Sequence, residues 1–181
     1  MLSFLVYLND ARMGSYQAVI DDPVGTGKDV ANTRQFGRKK YGCALSWHQE
    51  LSWWLGAFLR LSANDGATET WAFTEIDRSL GFGAVASGKA WGRSGDEAGA
   101  ALVVNGLSSL HRRYLEGGGY GFIVGDGALD YGREFVGDFY YRAELSSLLA
   151  LSAIYQPILQ PAYNRARGPI HVLSGRFRVA F

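Results

Sequence analysis

The sequence predicts an all-β fold, an antiparallel outer-membrane β-barrel portion of about eight strands, on three observations. Apolar and polar residues alternate with period two over repeated segments of roughly ten residues, a sorting that a helix would scramble. The connections alternate between almost nothing and long, polar, glycine-rich stretches. The chain closes on "GRFRVAF", where Phe177, Val179 and Phe181 oppose Arg176 and Arg178 to the last residue.

Taken in order, residues 2–8 are a weak first strand. Over residues 39–51, Tyr41, Cys43, Leu45 and Trp47 fall opposite Lys40, Ser46, His48 and Glu50. Residues 52–64 set Trp53, Leu55, Ala57, Leu59 and Leu61 against Arg60, Ser62 and Asn64. Residues 72–87 set Ile76, Leu80, Phe82, Ala84 and Ala86 against Glu75, Asp77 and Ser79, with Arg78 a misfit on the apolar face. Residues 95–107 alternate poorly because so many are small. The cleanest case is 132–147, with Phe135, Phe139, Tyr141, Ala143 and Leu145 opposite Glu134, Asp138, Arg142 and Glu144. Residues 148–160 put Leu149, Leu151, Ala153 and Tyr155 opposite Ser152 and Gln156, and residues 169–181 put Leu173 with the terminal aromatics opposite Ser174, Arg176 and Arg178.

Tight turns are expected at Leu51-Ser52 and Ser147-Leu148, with "GKAWGRSGD" only modestly longer, whereas residues 9–38, 64–70, 108–131 and 160–168 are long loops. Short periplasmic turns at one end and long extracellular loops at the other, with aromatics near strand ends, are the mark of an outer-membrane barrel. The competing fold is a soluble barrel or sandwich whose apolar face is the core. The C-terminal strand weighs against it, because chain ends of soluble domains are usually frayed and polar. A last strand carrying Phe177 and Phe181 resembles what barrel-insertion machinery reads, and pairing it with the first strand would remove both sheet edges.

Composition narrows the function classes. The chain has 181 residues, 48% hydrophobic, with 24 glycines, so it should fold as one domain, residues 1–181. A net charge of +1 and no basic run beyond Arg38-Lys39-Lys40 speak against nucleic-acid binding. The single Cys43 rules out an internal disulfide and a multi-cysteine zinc site. No apolar run approaches the roughly 20 residues of a spanning helix. "MLSFLVYLND" lacks a basic flank and a small-residue cleavage site, so it does not read as a signal peptide.

Motifs suggesting other chemistry fit poorly. "VGTGK" at residues 24–28 has Asp22 where a phosphate loop needs glycine and Asp29 where it needs Ser or Thr. "GGGYGFIVGDG", residues 117–127, lacks dinucleotide-binding spacing and reads as a loop with the freedom to fold into a barrel mouth. His48, His111 and His171 are too scattered for a metal site and read as lumen or loop residues; no cofactor is expected. Glu75 and Asp77 could suggest acid-base work, but without an evident nucleophile they read as polar lining.

Four stretches resemble the C-terminal region of the bacterial carbohydrate-selective porin family, the OprB type: "ETWAFTEIDRSLGFG" (69–83), "VVNGLSSLHRRYLEGGGYGFIVGDGALDYG" (103–132), "NRARGPIHVL" (164–173) and "RFRVAF" (176–181). They lie in the family's order across essentially the whole chain. The resemblance implies a barrel of about sixteen strands, so that eight strands would be its C-terminal half, which would also account for the missing signal peptide. It implies residence in the outer membrane, passive diffusion of sugar solutes without enzymatic activity, contact with outer-membrane lipid, assembly through Phe181 by the barrel-assembly machinery, and room for a homo-oligomer. The alternation supplies the expected lumen-lining residues: Arg60, Glu75, Asp77, Asp138, Tyr140, Arg142, Arg176 and Arg178. The alternatives are a small closed barrel acting as a lipid-modifying enzyme, with His111 at its rim, or as an adhesin or structural protein.

Overall fold

Among the described residues, eight strands, each hydrogen-bonded to the next, make one antiparallel sheet in simple up-and-down order. They are β1 (Leu2–Met13), β2 (Gln35–Glu50), β3 (Leu55–Asn64), β4 (Arg78–Ser87), β5 (Glu97–Gly106), β6 (Glu134–Ser146), β7 (Leu149–Leu159) and β8 (Ile170–Val179). The computed structural model describes residues 1–70 and 74–180, so Phe181 and its expected role lie outside the described residues.

The register carries the alternation from strand to strand. One row across seven strands reads Phe4, Leu45, Leu61, Leu80, Val104, Phe135 and Leu159. A single residue away, the opposite face has Ala44, Ser62, Ser79, Asn105 and Glu134 in line. Because side chains alternate with period two, a one-residue slip would exchange these rows, so the pairing is strongly specified.

Among the described residues nothing covers the apolar face. Phe4, Phe139, Leu151, Leu173 and Phe177 are all exposed, and Leu173 retains 79% of its accessible surface. In a soluble barrel these side chains would form the core, each contributing roughly 1.5 to 3 kcal/mol by burial. Here the buried hydrophobic cluster lies elsewhere, in the long connections at one end of the sheet. Tyr16, Val19, Val30, Leu107, Tyr114, Leu115, Val124, Leu129 and Tyr163 form it. It draws on α1 (Tyr16–Asp21) and α2 (Ser109–Glu116), each capped by a serine hydroxyl: Ser15 accepts from the Ala18 N–H and Ser108 from the His111 N–H.

Several expectations are corrected. Among the described residues the sheet is open: β1 and β8 are its two edges and do not pair, so these eight strands do not close on themselves. β1 continues to Met13 because Asn9, Asp10 and Ala11 pair with Lys40, Lys39 and Arg38, a polar extension without apolar alternation to mark it. The β2–β3 turn takes four residues, 51–54, rather than a direct Leu51-Ser52 reversal, which puts Trp53 in the turn. β4 starts at Arg78, leaving Glu75 and Asp77 before the strand.

Candidate functional site

The richest polar surface lies on β5 to β8. Glu97 pairs with Arg142, Arg142 with Ser152 and Ser152 with Arg176, so one row crosses four strands with two guanidinium groups flanking a hydroxyl. The next row brings Gly99, Tyr140, Ile154 and Ser174 into line. The Tyr140 hydroxyl donates to Glu97 Oε1 at 2.5 Å, Gln156 Nε2 donates to Asp138 Oδ2 at 3.1 Å, and Arg142 Nη1 donates to the Gly95 carbonyl at 3.2 Å. Together these side chains line a groove of about 620 Å³. Asp138, Tyr140, Arg142 and Arg176, expected on one surface from sequence, are brought together there; Glu97 joins them without having been marked, because its strand is nearly featureless in small residues.

Arg178 sits on the same face one row beyond, opposite Ala150. Arg60 shares the face but stands on β3, between Ser46 and Gly81, with its guanidinium 5.4 Å from the centre of the Phe58 ring. His48 is also on this face, its Nε2 3.0 Å from the Ser46 hydroxyl. His171 is not. It belongs to the apolar face, stacked on Tyr155 with their rings 3° from parallel and Tyr155 Oη 2.8 Å from its Nδ1.

Glu75 and Asp77 depart most from expectation. Their side chains are buried and engaged with the loop joining β5 to β6 rather than presented to a solute. Glu75 accepts the backbone N–H of Phe122 at 2.9 Å and those of Ile123 and Val124 at 2.8 Å. Asp77 Oδ2 accepts the Ser108 N–H at 2.9 Å and lies 2.9 Å from His111 Nδ1, which must be the protonated nitrogen facing a carboxylate. Two carboxylates flanking Ile76 thus hold two points of one loop, the N-terminus of α2 and the turn that follows it. His111 is fully buried and stacks on Tyr16 with 4.3 Å between ring centres.

Electrostatics reinforce these anchors. Burial pushes the Asp77 carboxyl up, but the His111 hydrogen bond and charge, the Ser108 N–H and the nearby Lys40 outweigh it and hold it below its ordinary value. Glu69 behaves alike: burial raises it, while Arg34 and the Gly14 N–H bring it down. Arg34 reaches the two Glu69 oxygens at 2.6 and 2.7 Å, tying the β1–β2 loop to the β3–β4 loop. Burial raises the Tyr16 and Tyr163 phenols far above their ordinary value, and both stay neutral within the loop cluster.

The family model of the carbohydrate-selective porins, OprB family, matches residues 1–181. The chain belongs to that family. Its fold resembles the high-pH structure of Pseudomonas putida OprB with a TM-score of 0.72 at 15% identity, covering 96% of this chain and 42% of the porin's. The chain therefore spans less than half the length of the solved porin it resembles. No curated protein matches it. Membership implies an outer-membrane β-barrel, a fold whose strands alternate apolar and polar residues as these do.

Glu69, Glu134 and Arg34 are not among the residues expected at the site from sequence. Glu134 accepts from Asn105 Nδ2 at 3.1 Å and the Ala162 N–H at 3.0 Å, joining β5, β6 and the last loop. Its position on the charged side of residues 132–147 was the available signal. Glu69 and Arg34 lie 35 residues apart in loops, and nothing in their spacing pairs them.

Proposed function

We propose that this chain forms part of the wall and mouth of an outer-membrane porin through which carbohydrates diffuse passively. One observation carries the reading: in a member of this family, the polar groups of β5 to β8 lie together on the face opposite an uncovered apolar surface. Guanidinium, carboxylate, amide and hydroxyl groups exchange hydrogen bonds with sugar hydroxyls at small net cost, because they replace water with similar partners. Aromatic rings such as Tyr140 offer a face to the C–H side of a pyranose. Arg60, Asp138, Tyr140, Arg142, Arg176 and Arg178 are the proposed wall residues; Glu75 and Asp77 act on the mouth.

The open sheet calls for more strands. An eight-stranded closure would leave only enough interior for side chains. We place additional strands against the free edges of β1 and β8, toward the about sixteen expected of a solute-conducting barrel. The small closed barrel is disfavoured by those free edges, and a rim catalyst at His111 by its complete burial. Recognition of the last strand by the assembly machinery through Phe181 is part of the same proposal.

The test is swelling of proteoliposomes carrying the assembled protein in isosmotic sugar solutions. Faster swelling with monosaccharides than in protein-free vesicles, falling as sugar length grows, is the expected result. No flux above the protein-free rate would reject the porin reading.

A further inference from the structure

We propose that Glu75 is the positioning residue for a sugar-discriminating segment, residues 120–124, at the mouth of the pore; this rests on the carbohydrate-porin reading above. Every backbone N–H of that segment is taken. The Tyr114 hydroxyl accepts from the Tyr120 N–H at 3.1 Å and donates to the Tyr120 carbonyl at 2.7 Å. The Gly121 N–H donates to the Val124 carbonyl at 2.7 Å, and Glu75 takes Phe122, Ile123 and Val124. One carboxylate thus fixes three successive residues, and its own backbone carbonyl accepts the Tyr163 hydroxyl at 2.8 Å, anchoring it to the loop after β7. A Cβ at Gly121 would collide with Glu75 Oε1, so a larger residue there would displace the carboxylate from this position.

Three of the side chains on this fixed backbone are exposed, whereas Val124 is buried in the loop cluster. Tyr120, Phe122 and Ile123 are 59%, 61% and 63% exposed, although they flank a buried anchor. Ile123 and Val124 also border a cavity of about 280 Å³ whose other walls include Glu134 and Tyr163. Glu134 belongs to the polar face of β6, so the segment lies on the lumenal side of the sheet. Apolar and aromatic groups held without backbone slack meet the C–H faces of pyranose rings at little ordering cost. A fixed segment also sets which sugar lengths pass, whereas a loose one yields.

The experiment uses the full-length protein with Glu75→Gln, which keeps shape and one acceptor but turns an amino group toward the loop's N–H donors. Hydrogen exchange at Phe122, Ile123 and Val124 should speed up roughly tenfold or more, on the scale of a lost charge-assisted hydrogen bond. Amides of α2, anchored separately by Asp77, should keep their protection. The ratio of trisaccharide to monosaccharide swelling rates should rise. A triple variant, Tyr120→Ala with Phe122→Ala and Ile123→Ala, should raise the same ratio while the three amides stay protected. Unchanged exchange in Glu75→Gln would overturn the clamp, and loosened amides with an unchanged ratio would overturn the discriminating role. A wild type that passes no sugar would instead reject the porin reading, with exchange still deciding whether the clamp exists.

Discussion

Asp77 Oδ2 and His111 Nδ1 meet at 2.9 Å with both side chains wholly buried. The pair joins the approach to β4 with the first turn of α2, where Asp77 also accepts the Ser108 N–H. Asp77→Ala would strand a buried imidazole and a backbone donor, each unsatisfied group costing about 1 to 3 kcal/mol. The expected outcome is local: earlier proteolytic cleavage within the loop between β5 and β6, with the folded sheet's gel mobility retained.

Acid should act on the same anchors. Asp77 and Glu69 are held below their ordinary values of 3.8 and 4.5, so the folded loops bind fewer protons than the unfolded chain in that range. Their stabilisation is fully present above those values and is lost as pH falls through the depressed ones. Loop amides followed by hydrogen exchange, corrected for its intrinsic pH dependence, should keep constant protection from pH 7 down to about 5 and lose it below about 4. Protection that rose on acidification would contradict the anchoring role.

The two faces of β6 should respond differently to substitution. Phe139→Arg sets a charge against lipid and costs roughly 2 to 4 kcal/mol near the bilayer midplane. Asp138→Ala removes a polar-face group bonded to Gln156 and should leave assembly intact. Heat-modifiable mobility of the two variants distinguishes them, and equal loss would mean that the register is wrong.

Much of the sheet is legible in sequence because lipid and water select opposite residue types at every second position. The alternation of residues 132–147 places β6 within two residues, with the face assignment that the register later gives. Legibility ends where an extended loop keeps the same period. Glu75, Ile76 and Asp77 alternate as a strand would, and only the tertiary contacts of Glu75 and Asp77 reveal them as anchors. α2 hides in a glycine-rich stretch, although Ser108 as cap and the spacing of His111, Tyr114 and Leu115 are signals a helix leaves. The pairing of Arg34 with Glu69 depends on how two loops fold over the sheet, which no local pattern records.

The account centres on a sheet with one face in lipid and the other in an aqueous path. The most direct measurement is labelling of single cysteines in the assembled protein by a membrane-impermeant maleimide, in a Cys43→Ser background. Asp138→Cys and Ser152→Cys, on the polar face, should label in intact outer membranes, whereas Leu151→Cys and Ala153→Cys, their neighbours on the apolar face, should label only after detergent extraction. Labelling of both faces alike, or of the apolar face alone, would contradict it.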